Sequence, residues 1–495
     1  MGVEAFLERS AERLPDKTAV VCGAERRSFR EIDERANALA RRLRDGGLQT
    51  GDRVAICLEN SIDAVVAMFG VLKAGGAFFV VQPRTRPDGL RHLLRDSGAF
   101  GLVARPSMIA VVDVPVRTFA PDTSRDPRPV DCRHGDEDLA ALIYTSGSTG
   151  APKGVMLTHH NMTAAADAIC SYLRLTDRDV LLNGLPLAFT YGLGQVTTAF
   201  RSAATLVLER SAAYPRALVD TMIRERITGL PIVPTLATQL LQLDLARFAF
   251  PDLRYITNAA AALPIATLKR LRRAFPSAQI FSMYGQTECQ RISYLPPDQI
   301  DVRPASVGVP IPGTEAFVVD ECGQRVPPGV VGELVVRGPH VMKGYWNQPA
   351  TTARVLREGA TSGDRLLYTG DLFHTDADGY LYFVSRTDDI IKSRGEKIAP
   401  RQIEDVIARL PGVADVAVYG VPDEILGEAV SAAVTLSAGA TLTRDAIQRE
   451  CLERLGPSFV PRTVVVEDRL PTTATGKVSR RALREVAVAR AKVCA

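Results

Sequence analysis

The chain has 495 residues, of which 46% are hydrophobic, and its formal net charge is only +4. This length indicates two to four domains, or one large domain with a small one, and the composition supplies a sizeable core. The weak net charge, with arginines interspersed among carboxylates, gives no reason to expect a nucleic-acid partner. No segment approaches ~18 uninterrupted apolar residues, so we expect no membrane span.

The cysteines and histidines of the chain indicate which cellular compartment and which metal sites to expect. The eight cysteines lie far apart and form no C-x-x-C pair, and residues 1–7 lack the basic start and apolar run of an export signal. We therefore expect free thiols in a reducing cytoplasm. The only close histidine pair, His159 and His160, stands at a predicted helix start, where neighbouring side chains point apart. We expect no structural zinc site there.

Helix and strand patterns alternate through the first part of the chain. Ser28 and Glu31 have the spacing of a capping box, and the apolar stripe that follows predicts a helix ending before residues 46–47. Such alternation favours parallel sheets covered by helices. The patterns predict a helix at 62–74 and strands at 53–58, 77–81, 205–208, 229–233 and 279–282.

From about residue 316 the pattern changes to short strands with turns, which predicts a β-rich subdomain over about 316–385 with strands at 317–319, 332–336 and 380–384. The charged segment 386–389 then indicates a boundary. Residues 390–495 combine helical patterns at 402–410 and 444–455 with strand patterns at 413–419 and 429–436. We therefore expect a large α/β domain over 1–385, a hinge at 386–389 and a small α+β domain over 390–495.

The segment 144–153 (YTSGSTGAPK) is rich in glycine and hydroxyl side chains and follows the apolar run 139–143. Backbone N–H groups and hydroxyls without bulky side chains allow a polyphosphate to approach closely. The segment is not a P-loop, because Lys153 is followed by Gly154, whereas a P-loop lysine precedes Ser or Thr. A flexible linker is the alternative, but a strand-like segment follows directly. The segment therefore indicates a phosphate-binding loop.

Five further motifs follow in order: YGQTE at 284–288, YTGD at 368–371, SRTDD at 385–389, IKSRGEK at 391–397 and PTTATGK at 471–477. Together with the phosphate-type loop, they resemble the adenylate-forming superfamily of acyl-CoA synthetases, firefly luciferase and peptide-synthetase adenylation domains. The resemblance covers nearly the whole chain. It implies a large N-terminal domain of helix-covered sheets with a distorted β-barrel, and a small, mobile α+β C-terminal domain.

The resemblance implies activation of a carboxylic acid as an acyl-adenylate, with ATP and Mg²⁺ as cofactors. It assigns Glu288 to the metal, Thr287 to the α-phosphate and Lys477 to the developing charge between substrate carboxylate and α-phosphate. Taken alone, Thr287 and Glu288 suit an ordinary helix start and Lys477 an exposed surface position. The implied nucleotide-binding residues are Thr145, Ser146, Gly147, Ser148, Thr149, Gly150, Lys153, Tyr284, Asp371 and Arg386.

Three of these residues also have an ordinary structural explanation that involves no nucleotide. The resemblance places Tyr284 on the adenine, although a tyrosine there also suits a core. It gives Asp371 both ribose hydroxyls, since a carboxylate has two acceptor oxygens, although a turn aspartate after Gly370 is equally ordinary. Arg386 reaches the ribose or the phosphate edge in this scheme, and otherwise is a linker charge.

A second step is implied by the small domain. In the family, the loop containing Gly395 leaves room for a pantetheine arm, whereas Lys477 serves the adenylation step. One closed state cannot easily serve both, so the resemblance implies a rotating small domain with Asp388 at the hinge. The thiol acceptor is CoA or a phosphopantetheinyl carrier protein on a separate chain, and the sequence does not separate the two.

The residues that bind the acid are the hardest to predict from the sequence. In amino-acid-activating relatives an aspartate usually occupies the place of Thr190 and pairs with the α-ammonium, and a buried ammonium without a partner is costly. The neutral Thr190 therefore favours acids without an α-amine, with an apolar, fatty or aromatic body, although Arg291 nearby complicates this picture. The implied pocket residues, which also suit an ordinary core, are Phe189, Thr190, Tyr191, Gly192, Asn258, Ala259, Ala260 and Gly285.

Several functions share this fold. An acid–thiol ligase is the leading hypothesis, with a free-standing amino-acid adenylation enzyme that loads a peptidyl carrier protein as its variant. A luciferase-like oxygenase shares the first half-reaction. A non-catalytic nucleotide-binding regulator would be expected to lack Lys477, Glu288 or Asp371, and all three are present.

Overall fold

A computed structural model describes residues 2–106, 116–121, 127–131, 134–146, 152–359, 364–437, 439–472 and 478–493. The chain forms two compact units: Met1–Ala316 with Val336–Tyr368, and Phe317–Val335 with Thr369–Ala495. The expected α/β class is confirmed. The boundary at 386–389 stays a prediction.

Helices are distributed along both units. Within the described residues none combines the length and apolar character needed to cross a bilayer. They are α1 (Ala5–Arg13), α2 (Phe29–Asp45), α3 (Ile62–Lys73), α4 (Pro87–Ser97), α5 (His159–Leu173), α6 (Thr190–Ser202), α7 (Pro215–Arg224), α8 (Pro234–Leu240), α9 (Ile265–Ala274), α10 (Pro349–Val355), α11 (Pro400–Ile407), α12 (Arg444–Leu455) and α13 (Arg480–Val493).

The strands fall into four sheets. They are β1 (Thr18–Cys22), β2 (Glu25–Ser28), β3 (Arg53–Cys57), β4 (Ala77–Val80), β5 (Gly101–Ala104), β6 (Arg117–Phe119), β7 (Leu139–Ser146), β8 (Pro152–Thr158), β9 (Val180–Asn183), β10 (Thr205–Leu208), β11 (Gly229–Ile232), β12 (Tyr255–Asn258), β13 (Gln279–Tyr284), β14 (Ser293–Tyr294), β15 (Val309–Pro310), β16 (Glu315–Val319), β17 (Gly332–Arg337), β18 (Gly344–Tyr345), β19 (Leu356–Glu358), β20 (Arg365–Thr375), β21 (Leu381–Arg386), β22 (Ile391–Ser393), β23 (Glu396–Ile398), β24 (Val413–Asp423), β25 (Gly427–Leu436) and β26 (Thr463–Val466).

Two large sheets build the first unit, in the orders β15-β14-β13-β12-β11-β9-β10-β1-β2 and β18-β8-β7-β4-β3-β5-β6. Their central strands are parallel, as β3 is to β4 and β5, and the residues of β3 from Val54 to Ile56 are fully buried. Burial on both faces is typical of parallel sheets covered by helices. The predicted strand at 205–208 is confirmed without change, and the one at 53–58 ends one residue earlier.

Two helices of the first unit, α2 and α3, follow from local sequence patterns and pack closely against each other. Helix α2 begins with the predicted capping box: the Ser28 side chain accepts from the Glu31 N–H, and Glu31 accepts from the Ser28 N–H. Helix α3 is apolar on nearly every side and almost entirely buried, as expected for a core helix. A Cβ on Gly70 of α3 would lie 2.9 Å from Leu39 of α2, so glycine permits the close approach of the two helices.

In the second unit, one sheet has the order β23-β22-β25-β24, with β26 parallel to β25. Helices α11 and α12 cover it through an apolar cluster that includes Ile403 and Ile447, both fully buried. Strand β20 pairs with β21 across a tight turn in which Gly379 has φ +82° and its N–H donates to Asp376. The turn at residues 378–379 thus closes the hairpin of β20 and β21.

The N-terminal segment is fixed to the first unit by a cluster of Glu4, His134 and His159. Glu4 Oε1 lies 2.9 Å from His134 Nε2, the two imidazoles stack at 3.9 Å, and the Val3 N–H donates to His159 Nδ1 at 3.1 Å. His160 is exposed while His159 is buried, so the adjacent histidines do point apart. The cluster thus holds Val3 and Glu4 against the imidazoles of His159 and His134.

Buried histidines give this fold a pH-dependent stability. Burial lowers the pKa of His340 from 6.5 to about 4. As the pH falls from ~6.5 toward 4, the unfolded chain binds a proton that the folded chain refuses, so the folded state loses up to ~1.4 kcal/mol per pH unit. We expect the melting temperature of His340→Leu to fall less between pH 7 and pH 5 than that of the wild type. His92→Leu, at an exposed position, should keep the wild-type drop, and equal drops in all three proteins would contradict this assignment.

Candidate functional site

Strands β7 and β8 flank the phosphate-type loop in the sequence. The strands pair antiparallel, with Thr145 opposite Lys153, so the loop's first hydroxyl residue and its lysine lie side by side at the end of the ladder. The predicted contacts Gly147, Ser148, Thr149 and Gly150 lie outside the described residues.

Strand β18 brings a tyrosine to the same pair of strands. It pairs with β8, and Lys153 Nζ lies 5.3 Å from the ring centroid of Tyr345, a distance at which an ammonium is attracted to an aromatic face. The Tyr345 hydroxyl donates to Glu288 Oε1 at 2.7 Å. Tyr345 therefore links the predicted phosphate lysine to the predicted metal ligand.

Glu288 lies in a turn after β13, and no helix begins at Thr287. The alternative of a helix cap at this pair is therefore wrong. The backbone of the turn is held where the Met342 N–H donates to the Glu288 carbonyl at 2.7 Å. Among the described residues no cation pairs with the Glu288 carboxylate, and Tyr345 occupies only Oε1, so Oε2 remains able to bind a hard cation. This donor chemistry fits Mg²⁺.

Tyr284 is the last residue of β13 and is partly exposed, so the alternative of a fully buried core tyrosine is not what the structure shows. Gln286 Nε2 donates to its hydroxyl at 3.3 Å. A Cβ on Gly285 would lie 2.7 Å from the Gln290 carbonyl oxygen, so only glycine allows the chain to turn this tightly.

In the second unit, Asp371 lies inside strand β20, opposite Arg386 of β21. It is 5% exposed, and Arg386 Nε lies 3.3 Å from Asp371 Oδ1. The Asp371 N–H donates to Thr369 Oγ1 at 3.2 Å. Asp371 is therefore a strand residue and not a turn aspartate, and Arg386 is the strand residue paired with it and not a linker charge.

The loop containing Lys477 lies outside the described residues, but both of its ends are placed. Thr472 and Val478 form an antiparallel bridge, and just beyond it Arg480 pairs with Glu404 at 2.7 Å and with Asp389 at 3.2 Å. Although burial opposes it, the two carboxylates raise the pKa of Arg480. These ion pairs tie Arg480 to α11 and to the short 3₁₀ helix Thr387–Asp389, which contains Asp388.

Gly395 forms the turn between β22 and β23. It has φ +81°, Arg394 before it has φ +53°, and no atom of the described residues lies within 4 Å of the position a Cβ would occupy. Two successive residues at positive φ are typical of a two-residue hairpin turn. The position is thus open on its side-chain side.

A cavity in the first unit lies between α5, α6 and the strands β12 and β13. Of the predicted pocket residues, Thr190 lines it, and Tyr191 lies behind it with its hydroxyl bonded to the Thr257 carbonyl at 2.8 Å. Its lining residues are Ile169, Tyr172, Leu173, Thr190, Gly194, Gln195, Thr198, Tyr255, Thr257, Met283, Gln290 and Arg291.

The other predicted pocket residues are not among the described residues that line this cavity. Phe189 precedes α6, and a Cβ on Gly192 would lie 2.3 Å from the Pro186 carbonyl oxygen. Asn258 is fully buried at the end of β12 and donates to Ala261 at 2.9 Å. Ala259 is buried and Ala260 exposed. Tyr345 and most of the cavity lining stand in no local motif, because these residues meet only through the fold.

Comparisons with known proteins agree with this architecture. The model of the AMP-binding enzyme family matches residues 7–346, and that of the AMP-binding enzyme C-terminal domain matches residues 402–477. The chain is 33% identical to a long-chain-fatty-acid–CoA ligase of Salmonella typhimurium, over 98% of this chain and 94% of that protein. It is 34% identical to a feruloyl-CoA synthase of Amycolatopsis sp, over 98% of both.

Among solved structures, the chain resembles o-succinylbenzoate coenzyme A synthetase from Bacillus subtilis in complex with ATP and magnesium ion. The TM-score is 0.86 at 27% identity, covering 97% of this chain and 98% of that one. Fold, motifs and relatives together define an ATP-dependent, AMP-forming acid–thiol ligase that proceeds through an acyl-adenylate. The chain belongs to the AMP-binding enzyme family.

Proposed function

We propose that the chain forms an acyl-adenylate from a carboxylic acid and ATP and transfers the acyl group to CoA. In the first step a carboxylate oxygen attacks the α-phosphorus, the bond to the bridging oxygen breaks and pyrophosphate leaves. In the second step the thiol sulfur attacks the acyl carbon, AMP leaves and the thiol proton passes to solvent. The observation that carries the proposal is the grouping of Lys153, Tyr345 and Glu288 beside the phosphate-type loop.

CoA is preferred to a carrier protein as acceptor because of the relatives that the chain spans end to end. Two of them are named as CoA ligases or synthases, and each is covered over at least 94% of its length. The peptide-synthetase match, a linear gramicidin synthase of Brevibacillus parabrevis, is covered over only 9%. A free-standing enzyme loading a separate carrier protein is the second candidate.

Within this proposal Lys153 and the loop hydroxyls hold the β- and γ-phosphates, Thr287 donates to the α-phosphate and Tyr284 stacks on adenine. Asp371, whose carboxylate is buried beside Arg386, accepts the ribose hydroxyls. When bound through Glu288, Mg²⁺ would neutralise charge on the phosphates. We assign the catalytic cation to Lys477.

The test begins with acid-dependent ATP–pyrophosphate exchange over a panel of carboxylic acids. Active acids are then incubated with either CoA or a phosphopantetheinylated carrier protein, and thioester and nucleotide products are quantified. The proposal expects AMP, pyrophosphate and acyl-CoA in equal amounts. ADP as the product, or thioester on the carrier alone, would contradict it.

Tyr345→Phe tests whether Tyr345 positions the metal ligand. The variant keeps the ring beside Lys153 but removes the hydroxyl that holds Glu288 Oε1. Because partners of metal ligands are typically worth ~10-fold or more in metal affinity, we expect the magnesium concentration for half-maximal exchange to rise about that much, with kcat largely restored at saturating magnesium. Tyr294→Phe, at a tyrosine stacked on Tyr172, is the control. An unchanged magnesium requirement would remove Tyr345 from this role.

Thr190 leads to a prediction on substrate class. The described residues that line the cavity with Thr190 include the cation Arg291 and no acidic residue, so an α-ammonium there would lack an anion and meet a like charge. We expect acids without an α-amine to exceed their matched α-amino acids in kcat/KM by ~10²-fold or more. Exchange rates for pairs such as hexanoate and norleucine measure this, and a proteinogenic amino acid as the best substrate would contradict it.

A further inference from the structure

Arg291 is a buried cation that the established chemistry does not use. It is 5% exposed and lines the cavity, and its buried Nε has no hydrogen-bond partner among the described residues. Within the described part of the chain no carboxylate forms an ion pair with it. Leaving a guanidinium donor buried and unpaired is costly unless another molecule supplies the acceptor.

The surroundings of Arg291 partly offset this cost but do not neutralise the charge. Its guanidinium carbon lies 5.3 Å from the ring centroid of Tyr191, which is a cation–π distance. Burial raises the pKa of the Tyr172 hydroxyl to about 12, and the charge of Arg291 opposes that rise. Burial raises the pKa of Tyr191 as well, so both tyrosines are neutral hydroxyls beside a cation. The other lining groups are Tyr255, threonines, glutamines, a glycine and apolar side chains.

The cavity also has room at its wall. Gly194 of α6 lines it, and no atom lies within 4 Å of the position where its Cβ would be. Thr190 at the start of the same helix adds a hydroxyl. A planar oxyanion that enters this space would find the fork of a guanidinium, which binds carboxylates through two parallel hydrogen bonds.

We propose that the acid pocket recognises a second anionic group, so that the preferred substrate is a dicarboxylic acid whose distal carboxylate pairs with Arg291. This inference rests on the proposed adenylation and names its substrate class. It modifies the expectation of a purely apolar acid: the body of the substrate remains apolar or aromatic, while its far end carries a charge. The distal carboxylate stays unreacted, and only the proximal one attacks ATP.

The experiment compares each diacid with its own monomethyl ester, which keeps the size of the tail but removes its charge. A series from succinate to suberate, with terephthalate as an aromatic member, is assayed by ATP–pyrophosphate exchange, and binding is measured by calorimetry without ATP. For the wild type we expect the best diacid to exceed its ester by about 10²-fold in kcat/KM, with most of the difference in KM.

Arg291→Met supplies the decisive variant, because it keeps the length of the side chain and removes its charge. We expect its kcat/KM for the diacid to fall by about the same factor. Its kcat/KM for the monomethyl ester should equal or exceed that of the wild type, an outcome that misfolding cannot give. Thr190→Asp, which offers Arg291 a carboxylate within the chain, should also lower kcat/KM for the diacid. Arg30→Met, which removes an exposed arginine that does not line the cavity, should leave the preference unchanged.

The outcomes separate this inference from the proposed function. If monocarboxylic acids or esters support exchange as well as the best diacid, and Arg291→Met lowers both alike, the diacid inference is overturned while adenylation stands. If no acid supports exchange, adenylation fails, and calorimetry still decides the inference: tighter binding of the diacid than the ester, lost in Arg291→Met, supports it, and equal binding overturns it.

Discussion

Replacing Lys477 with alanine is expected to lower acid-dependent ATP–pyrophosphate exchange by ~10²-fold or more. The α-phosphate gains negative charge as the carboxylate attacks, and a positioned donor at such a centre is typically worth that factor. A lysine suits the task because its ammonium is a compact charge with three donors on a flexible stem. The bridge between Thr472 and Val478 fixes both ends of its loop, so the substitution should leave the fold intact.

The control for Lys477→Ala is Lys397→Ala, which removes an exposed lysine of the same unit that pairs with Glu321 at 2.8 Å. It should exchange at the wild-type rate. Thioester formation from a pre-made acyl-adenylate should survive in Lys477→Ala, since the α-phosphate is no longer attacked. Near-normal exchange by Lys477→Ala would falsify its assignment to adenylation.

Local signals in the sequence predict much of this fold. The capping box at Ser28 and Glu31 sets the start of α2, and the apolar runs at 53–58 and 205–208 become buried strands because short apolar segments bounded by turn residues suit parallel sheets. Strand ends are less well specified. The run predicted to end at residue 419 continues to Asp423, because pairing with β25 extends the strand through Gly420, Pro422 and Asp423, residue types that strands otherwise disfavour.

The residues of the candidate site likewise fall into two groups: those that a local motif marks and those that only the fold brings together. Motifs within one loop, such as the phosphate-type loop with Lys153 and the turn at Glu288, are visible in sequence because their residues are adjacent. Tyr345, which joins these two motifs, stands in no motif and reaches them only when β18 pairs with β8. Arg291 was visible as a nearby charge, but its burial without a carboxylate partner depends on elements more than a hundred residues apart and could not be read from spacing.

The second large effect is expected at Gly395, where bulk should separate the two half-reactions. Its turn is open on the side-chain side, and in the family this loop accommodates a pantetheine arm during thioester formation. Gly395→Leu should lower the rate of acyl-CoA formation by ~10²-fold, as expected when reacting groups are displaced by about an ångström. ATP–pyrophosphate exchange should stay within a few-fold of wild type.

Backbone strain must be separated from bulk in this experiment. With φ at +81°, any side chain at position 395 destabilises the turn by about 1 kcal/mol, so Gly395→Ala is the matched control: it has the same strain with little bulk. We expect the alanine variant to keep most thioester formation and the leucine variant to lose it, each assayed for exchange and for acyl-CoA yield. Equal losses in both variants would assign the effect to the strained turn, and a leucine variant with normal acyl-CoA yield would show that the thiol enters elsewhere.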